Sequence, residues 1–207
     1  MEKNFAQIVL RVFNPMFLWV YAFVFYVFAL FAAFQLPVSP VVIIKSIVLY
    51  VLVSALLPGI VIYIMHNYSL FHIRTHIRAK HSNYIIMLLG YFISYAYFSL
   101  LDISIWFNIA MLLPVYVILV HLFLRKYLTL CLDIVSIGAL TGLMFMLTVK
   151  FYFLFSIYPL IVAIFLSGLM AYSSQIMLLS SPKESLKSYL FGLTATLLDI
   201  VVAFVIG

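Results

Sequence analysis

Ser136-Ile137-Gly138-Ala139-Leu140-Thr141-Gly142 is the stretch on which the fold turns. Gly138 and Gly142 are four residues apart, with Ser136 and Ala139 beside them, so one helix face is lined with small residues. Such a face lets two helix backbones approach closely, which makes its span the expected centre of a bundle. Packing is the direct reading of the face, and a ligand approaching the backbone there is the weaker one. The stretch sits in an apolar run, 127–149, and similar runs recur from one end of the chain to the other.

Of the 207 residues, 68% are apolar and 8% are charged, with a mean hydropathy of +1.30. Soluble domains lie nearer 45–50% apolar and about 25% charged. The runs are continuous rather than alternating, which favours helices over a membrane β-barrel, because each helix satisfies its own backbone groups. Seven runs are long enough to cross about 30 Å of hydrocarbon. They fall near 15–36, 40–65, 84–101, 104–124, 127–149, 151–179 and 188–206. The expected architecture is therefore all-α, a polytopic transmembrane bundle of about seven spans forming a single domain over 1–207. The first run is too long for a signal peptide and reads as a retained span. Pro37 and Pro40 mark the first turn, residues 67–83 the one substantial loop, and Pro182 a helix start. The single cysteine, Cys131, excludes an internal disulfide.

Seven crossings would gather Lys3, Arg11, Arg74, Arg78, Lys80, Arg125, Lys126, Lys183 and Lys187 on the face that holds the N-terminus. Lys150 would stand opposite, with Lys45 if its side chain snorkels outward. The excess of Lys and Arg places the first face in the cytoplasm, and a bacterial inner membrane is the expected location. A basic rim suits an anionic leaflet. Nucleic acid is not an expected partner, since no solvated basic domain is present.

Charges within apolar runs are costly and mark where function is sought. Asp199 is near the middle of the last run, Asp133 is close to the start of the fifth, and Lys45 is inside the second. A proton or ion path would use Asp199 and Lys45. Otherwise Asp199 is protonated and hydrogen-bonded, Lys45 snorkels, and Asp133 pairs with a loop arginine. Pro58-Gly59, Pro114 and Pro159 are places where spans could break. In the 67–83 loop, His72 and His76 stand at i,i+4, but neighbouring arginines disfavour a metal there. No cofactor or metal is expected. Phosphate suits Arg74, Arg78 and Lys80 better.

These landmarks resemble the type 2 phosphatidic acid phosphatase superfamily, in particular a bacterial branch of seven-span proteins with a six-helix core plus one. Asn14-Pro15-Met16-Phe17 is similar to the motif opening the first span of that branch. The Arg74–Lys80 segment stands where the first basic phosphate-binding motif occurs. Asp133-Ile134-Val135-Ser136-Ile137-Gly138-Ala139 resembles the stretch around the second motif's histidine. Ser174, Ser180 and Glu184 keep the spacing of the third motif, Ser-Arg-x5-His-x3-Asp. The resemblance implies a histidine nucleophile at position 180, an acid at 133 and an arginine at 174.

Here those positions read Ser180, Asp133 and Ser174, while Glu184 keeps the carboxylate. Serine without a general base is a poor nucleophile, and a lost oxyanion-stabilising arginine costs several kcal/mol of transition-state stabilisation. The expected function is a phosphatase-like membrane protein that lacks catalysis. It would bind an anionic or phosphorylated lipid headgroup through Arg74, Arg78 and Lys80, or serve as an accessory subunit in a membrane complex. The alternatives are a lipid-phosphate phosphatase with an altered site, built from Asp133, Glu184 and a loop histidine, and a small transporter or channel.

Overall fold

The computed structural model describes residues 2–34, 40–67, 76–100, 105–124, 127–151 and 154–206. The described residues form helices α1 (Glu2–Val12), α2 (Pro15–Phe34), α3 (Pro40–Val51), α4 (Leu57–Asn67), α5 (His76–Ser99), α6 (Ile105–Leu124), α7 (Leu132–Phe151), α8 (Leu154–Ile176) and α9 (Pro182–Ile206). A single π-helical turn, Leu52–Leu56, joins α3 to α4. Among the described residues there are no strands.

Every apolar run carries a helix, and three described segments are long and apolar enough to cross a membrane: Ile44–Ile64, Leu132–Val149 and Ile157–Ile176. The first is the α3–α4 pair, continuous through the π turn. Pro58 is the second residue of α4, just past that turn, and having no N–H it removes one helical bond. Within the turn the Ser54 hydroxyl donates back to the Tyr50 carbonyl at 2.6 Å, a bond of the kind that bends helices. Pro114 and Pro159 lie inside unbroken helices.

Helix α7 is the centre of the bundle. Its apolar window is 72% buried, against 22% for each of the other two, and it packs against α2, α6, α8 and α9. Its small-residue face is a packing surface against α9. A Cβ added at Gly138 would collide with the Tyr189 carbonyl, and one at Gly142 would sit 2.9 Å from Thr196 Cβ. The match is mutual, because a Cβ at Gly192 of α9 would run into the Val135 carbonyl of α7. The close approach lets Thr196 Oγ1 donate across to the Ala139 carbonyl at 3.0 Å, an inter-helix bond that small residues make reachable. Aromatic contacts within the same core tie α2, α3 and α5 together. Phe23 stacks on Tyr50 at 3.9 Å between ring centroids and on Phe98 at 5.7 Å.

Several boundaries differ from the sequence reading, each for a local reason. Helix α5 begins at His76 rather than near 84, so Arg78 and Lys80 are on its first turns and not in a loop. Helix α7 begins at Leu132 rather than near 127; residues 127–131 form a turn and an extended stretch that the apolar character of Tyr127–Cys131 disguised. Helix α9 begins at Pro182, six residues before its apolar run, because Ser181 and Glu184 cap it. Helix α1 lies outside the apolar runs altogether, being amphipathic.

Candidate functional site

The start of α9 shows how the sequence builds one wall of the site. Ser181 is the residue before the helix and Glu184 lies three positions on. The Ser181 N–H donates to Glu184 Oε2 at 2.8 Å, and the Glu184 N–H donates to Ser181 Oγ at 3.3 Å. This is a reciprocal capping box, with Pro182 at the first helical position where its missing N–H costs nothing. Glu184 also accepts from Thr129, and these bonds hold its carboxyl below the usual carboxylate range. The carboxylate that the third-motif spacing suggested for chemistry is therefore engaged in ordering a helix start.

Ser180 lies just before this cap. Its hydroxyl is 2.7 Å from Ser174 Oγ and 2.8 Å from Ser185 Oγ, and all three residues are buried. The three hydroxyls form a chain that fastens the end of α8 to the first turn of α9. The turn between them ends α8 with paired bonds, from the Leu179 N–H to the Ser174 carbonyl and from the Leu178 N–H to the Gln175 carbonyl. That Schellman pattern requires a left-handed residue after the helix. Leu178 fills the position at φ 56°, where glycine is the usual occupant.

The opposite wall is the Tyr127–Cys131 stretch and the first turn of α7. The Cys131 N–H donates to Ser188 Oγ of α9 at 3.0 Å, which docks the stretch on α9. Burial and the neighbouring Asp133 carboxylate push the Cys131 thiol up to about 11, so it stays protonated near neutrality and is not a nucleophile. Its Sγ is 4.0 Å from Asp133 Oδ2. Tyr84 of α5 and His121 of α6 complete the rim, meeting edge to face at 5.6 Å between ring centroids.

These walls enclose a pocket of about 320 Å³. Asp133, Ser180 and Glu184 all line it, together with Tyr84, His121 and Cys131. The Asp133 stretch and the Ser180–Glu184 stretch, far apart in sequence, thus meet at one end of the bundle with Tyr84 and His121; the Arg74–Lys80 segment expected beside them has its side chains outside the described residues. His121 and Thr129 were missed by sequence reasoning. His121 was legible, being the only imidazole in the apolar run 104–124, and an ionisable group in such a run marks a candidate site. Thr129 carries no comparable signal.

The other expected positions separate from this group. Lys45 is exposed on α3, five residues before Tyr50. Tyr50 packs near Phe98, at the end of α5 remote from Tyr84, so Lys45 is remote from the pocket. Asp199 is on α9, fifteen residues beyond Glu184, or about 22 Å along the helix; its side chain lies outside the described residues. Arg74 also lies outside the described residues, as do the side chains of Arg78 and Lys80. On the α5 backbone Lys80 stands one turn before Tyr84, on the same helix face.

No protein-family model, no curated protein and no solved structure matches this chain.

Proposed function

We propose that the chain is an integral membrane bundle of seven spans that binds a lipid headgroup without hydrolysing it, with the architecture of a lipid phosphate phosphatase. One observation carries this reading: Asp133, Ser180 and Glu184 share a single pocket, yet Ser180 bonds to Ser174 and Ser185. A nucleophilic serine needs a base that takes its proton. Its described partners here are two further hydroxyls, and the carboxylate nearest in sequence is committed to a helix cap.

Several features support a headgroup as occupant. The pocket volume is at the small end of the ligand range of roughly 300–1,000 Å³. Its lining mixes Leu128, Leu130, Leu132 and Leu179 with polar groups, which suits a headgroup and the start of its acyl chains. Basic residues border the pocket elements in sequence: Arg78 and Lys80 before Tyr84, Arg125 and Lys126 between His121 and Leu128, and Lys183 and Lys187 around Glu184. In the seven-span arrangement all of them belong to the face that also holds the N-terminus. The charge rule makes that face cytoplasmic, in a bacterial inner membrane. An accessory role in a larger membrane complex is compatible with the same pocket.

Native mass spectrometry of protein released from vesicles of mixed phosphatidic acid, phosphatidylglycerol and phosphatidylcholine tests this reading. Retention of a phosphatidic acid or phosphatidylglycerol adduct, weakened in Lys80→Gln with Arg78→Gln, is the expected result. Indifferent retention of all three lipids would remove the headgroup reading.

A further inference from the structure

Helix α1 (Glu2–Val12) is absent from the seven apolar runs, and its place can be fixed from contacts further along the chain. Tyr91 of α5 donates its hydroxyl to the Pro15 carbonyl, at the first residue of α2. Eight residues later Phe23 packs on Phe98, seven residues beyond Tyr91. At about 1.5 Å per residue, α2 and α5 therefore advance together and run nearly parallel. Tyr84 is at the pocket, so Pro15 lies about 10 Å below the pocket level, the rise from Tyr84 to Tyr91. Helix α2 starts well inside the bundle.

The segments Glu2–Val12 and Phe17–Phe25 meet at 58°. Helix α1 is about 16 Å long, so at that inclination it climbs roughly 9 Å back toward the pocket end. The climb returns its first residues to nearly the level of Tyr84. At the break Asn14 stands just before α2, its backbone carbonyl accepting from the N–H groups of Phe17 and Leu18 at 2.9 Å, with Pro15 in the favoured first position.

The faces of α1 are divided in three. Ala6 and Val9 are buried, and the helix packs against α8. Phe5, Ile8 and Val12 form a second stripe that is 52%, 59% and 43% exposed. Lys3, Gln7 and Arg11 form a third, at i, i+4 and i+8, also exposed. Helix α8, against which α1 packs, also exposes apolar side chains, among them Ile161, Ile164 and Phe165.

We infer that α1 is an oblique amphipathic half-span, inserted in the leaflet on the pocket side, with Phe5, Ile8 and Val12 in contact with acyl chains. Lys3 and Arg11 reach the headgroups of the same leaflet; Arg11, the deeper of the two, has a side chain long enough to snorkel there. Amphipathic helices at a membrane surface bury an apolar face about 5–10 Å into the boundary between headgroups and chains. The inference rests on the membrane reading above, and on nothing about the pocket's ligand.

Spin labels on single cysteines in a Cys131→Ser background test it, by comparing collisions with oxygen and with a water-soluble nickel chelate in reconstituted vesicles. Labels at Ile161 of α8, Ile8, Val12 and Gln7 are compared. At Ile8 the ratio of oxygen to nickel collisions is expected above one, and at Val12 higher still. At Gln7 it is expected to fall below the Ile8 value. An Ile8 label that favours nickel while Ile161 favours oxygen would overturn the half-span and leave the membrane reading intact. An Ile8 label shielded from both would also overturn it, by showing a protein partner there. Nickel preference at both sites would overturn the membrane reading itself. Phe5→Trp, quenched by lipids brominated at shallow or deep chain positions, gives an independent depth: stronger quenching at the shallow position is expected, and none at either would contradict the placement.

Discussion

The hydroxyls of Ser174 and Ser180 stand 2.7 Å apart, at the end of α8 and just before α9, and Ser185 extends the chain by 2.8 Å. On the lipid phosphate phosphatase architecture proposed above, the first two positions would hold an arginine and a histidine that bind and attack a phosphoryl group; here two hydroxyls bind each other.

A structural role for Ser180 has a measurable signature. Ser180→Ala leaves two buried hydroxyls short of a partner and is expected to cost about 1–3 kcal/mol of stability. Ser174→Ala should cost a similar amount, and the double variant clearly less than their sum, since the residues share one interaction. Unfolding in detergent micelles measures all three. Independent, additive losses would show that the hydroxyl chain does not act as a unit.

Glycine substitutions separate packing from helix propensity. Gly138→Ala and Gly192→Ala force α7 and α9 apart, because the new methyl groups meet backbone. Both are expected to destabilise the protein by about 1–3 kcal/mol or more, as overpacking does. Gly168→Ala in α8 meets nothing within 4 Å and should be neutral or stabilising, by up to about 1 kcal/mol. The same unfolding assay ranks the three, and equal effects would contradict the central place given to the α7–α9 contact.

Leu178 holds a left-handed backbone conformation at φ 56° and is 91% exposed. A leucine there costs roughly 1–2 kcal/mol relative to an unstrained residue, and its exposed side chain offsets little of that. Leu178→Gly is expected to raise the melting temperature, while Leu178→Val should lower it.

Two titrations have defined signs. The Glu184 carboxyl is held below its ordinary value by the Ser181 and Thr129 bonds, so the stability it contributes is present above that ordinary value. It is lost as pH falls through the lower, folded-state value. Ser181→Ala keeps the backbone N–H that is the main cause and removes only the smaller side-chain contribution, so it should soften that acid limb in part, besides costing about 0.5–2 kcal/mol of cap energy at neutral pH; Glu184→Gln should abolish the limb. Cys131 behaves oppositely. Its thiol is raised to about 11, so it favours the fold below the ordinary thiol value, and that contribution disappears as pH rises through 11. Alkylation of Cys131 in the native protein should be slow at pH 8 and accelerate toward pH 11; rapid labelling at pH 7 would contradict its burial beside Asp133.

The small-residue face at Gly138 and Gly142 was enough to name the central helix, because only a helix packed on several sides needs backbone contact. Pro182 marked its helix start because its missing N–H costs nothing at the first helical position. The pocket was half legible. Asp133, Ser180 and Glu184 stood in motif order, and their convergence follows from the bundle bringing the ends of α7, α8 and α9 together. The roles of Ser180 and Glu184 were not legible, since a capping box and a catalytic carboxylate leave similar traces in sequence. The early start of α5 was hidden because its first turns are basic and polar, which hydropathy reads as loop. Helix α1 was hidden because its apolar residues are spread around a short, charged segment.

The direct test is phosphate release from phosphatidic acid by the purified protein in lipid nanodiscs, followed over time against empty discs. The account predicts no release above the empty-disc rate, with phosphatidic acid still bound. Steady release that is abolished in Asp133→Asn or Ser180→Ala variants that remain folded would show a working active site, and would contradict the reading of this pocket as one that holds a headgroup and leaves it intact.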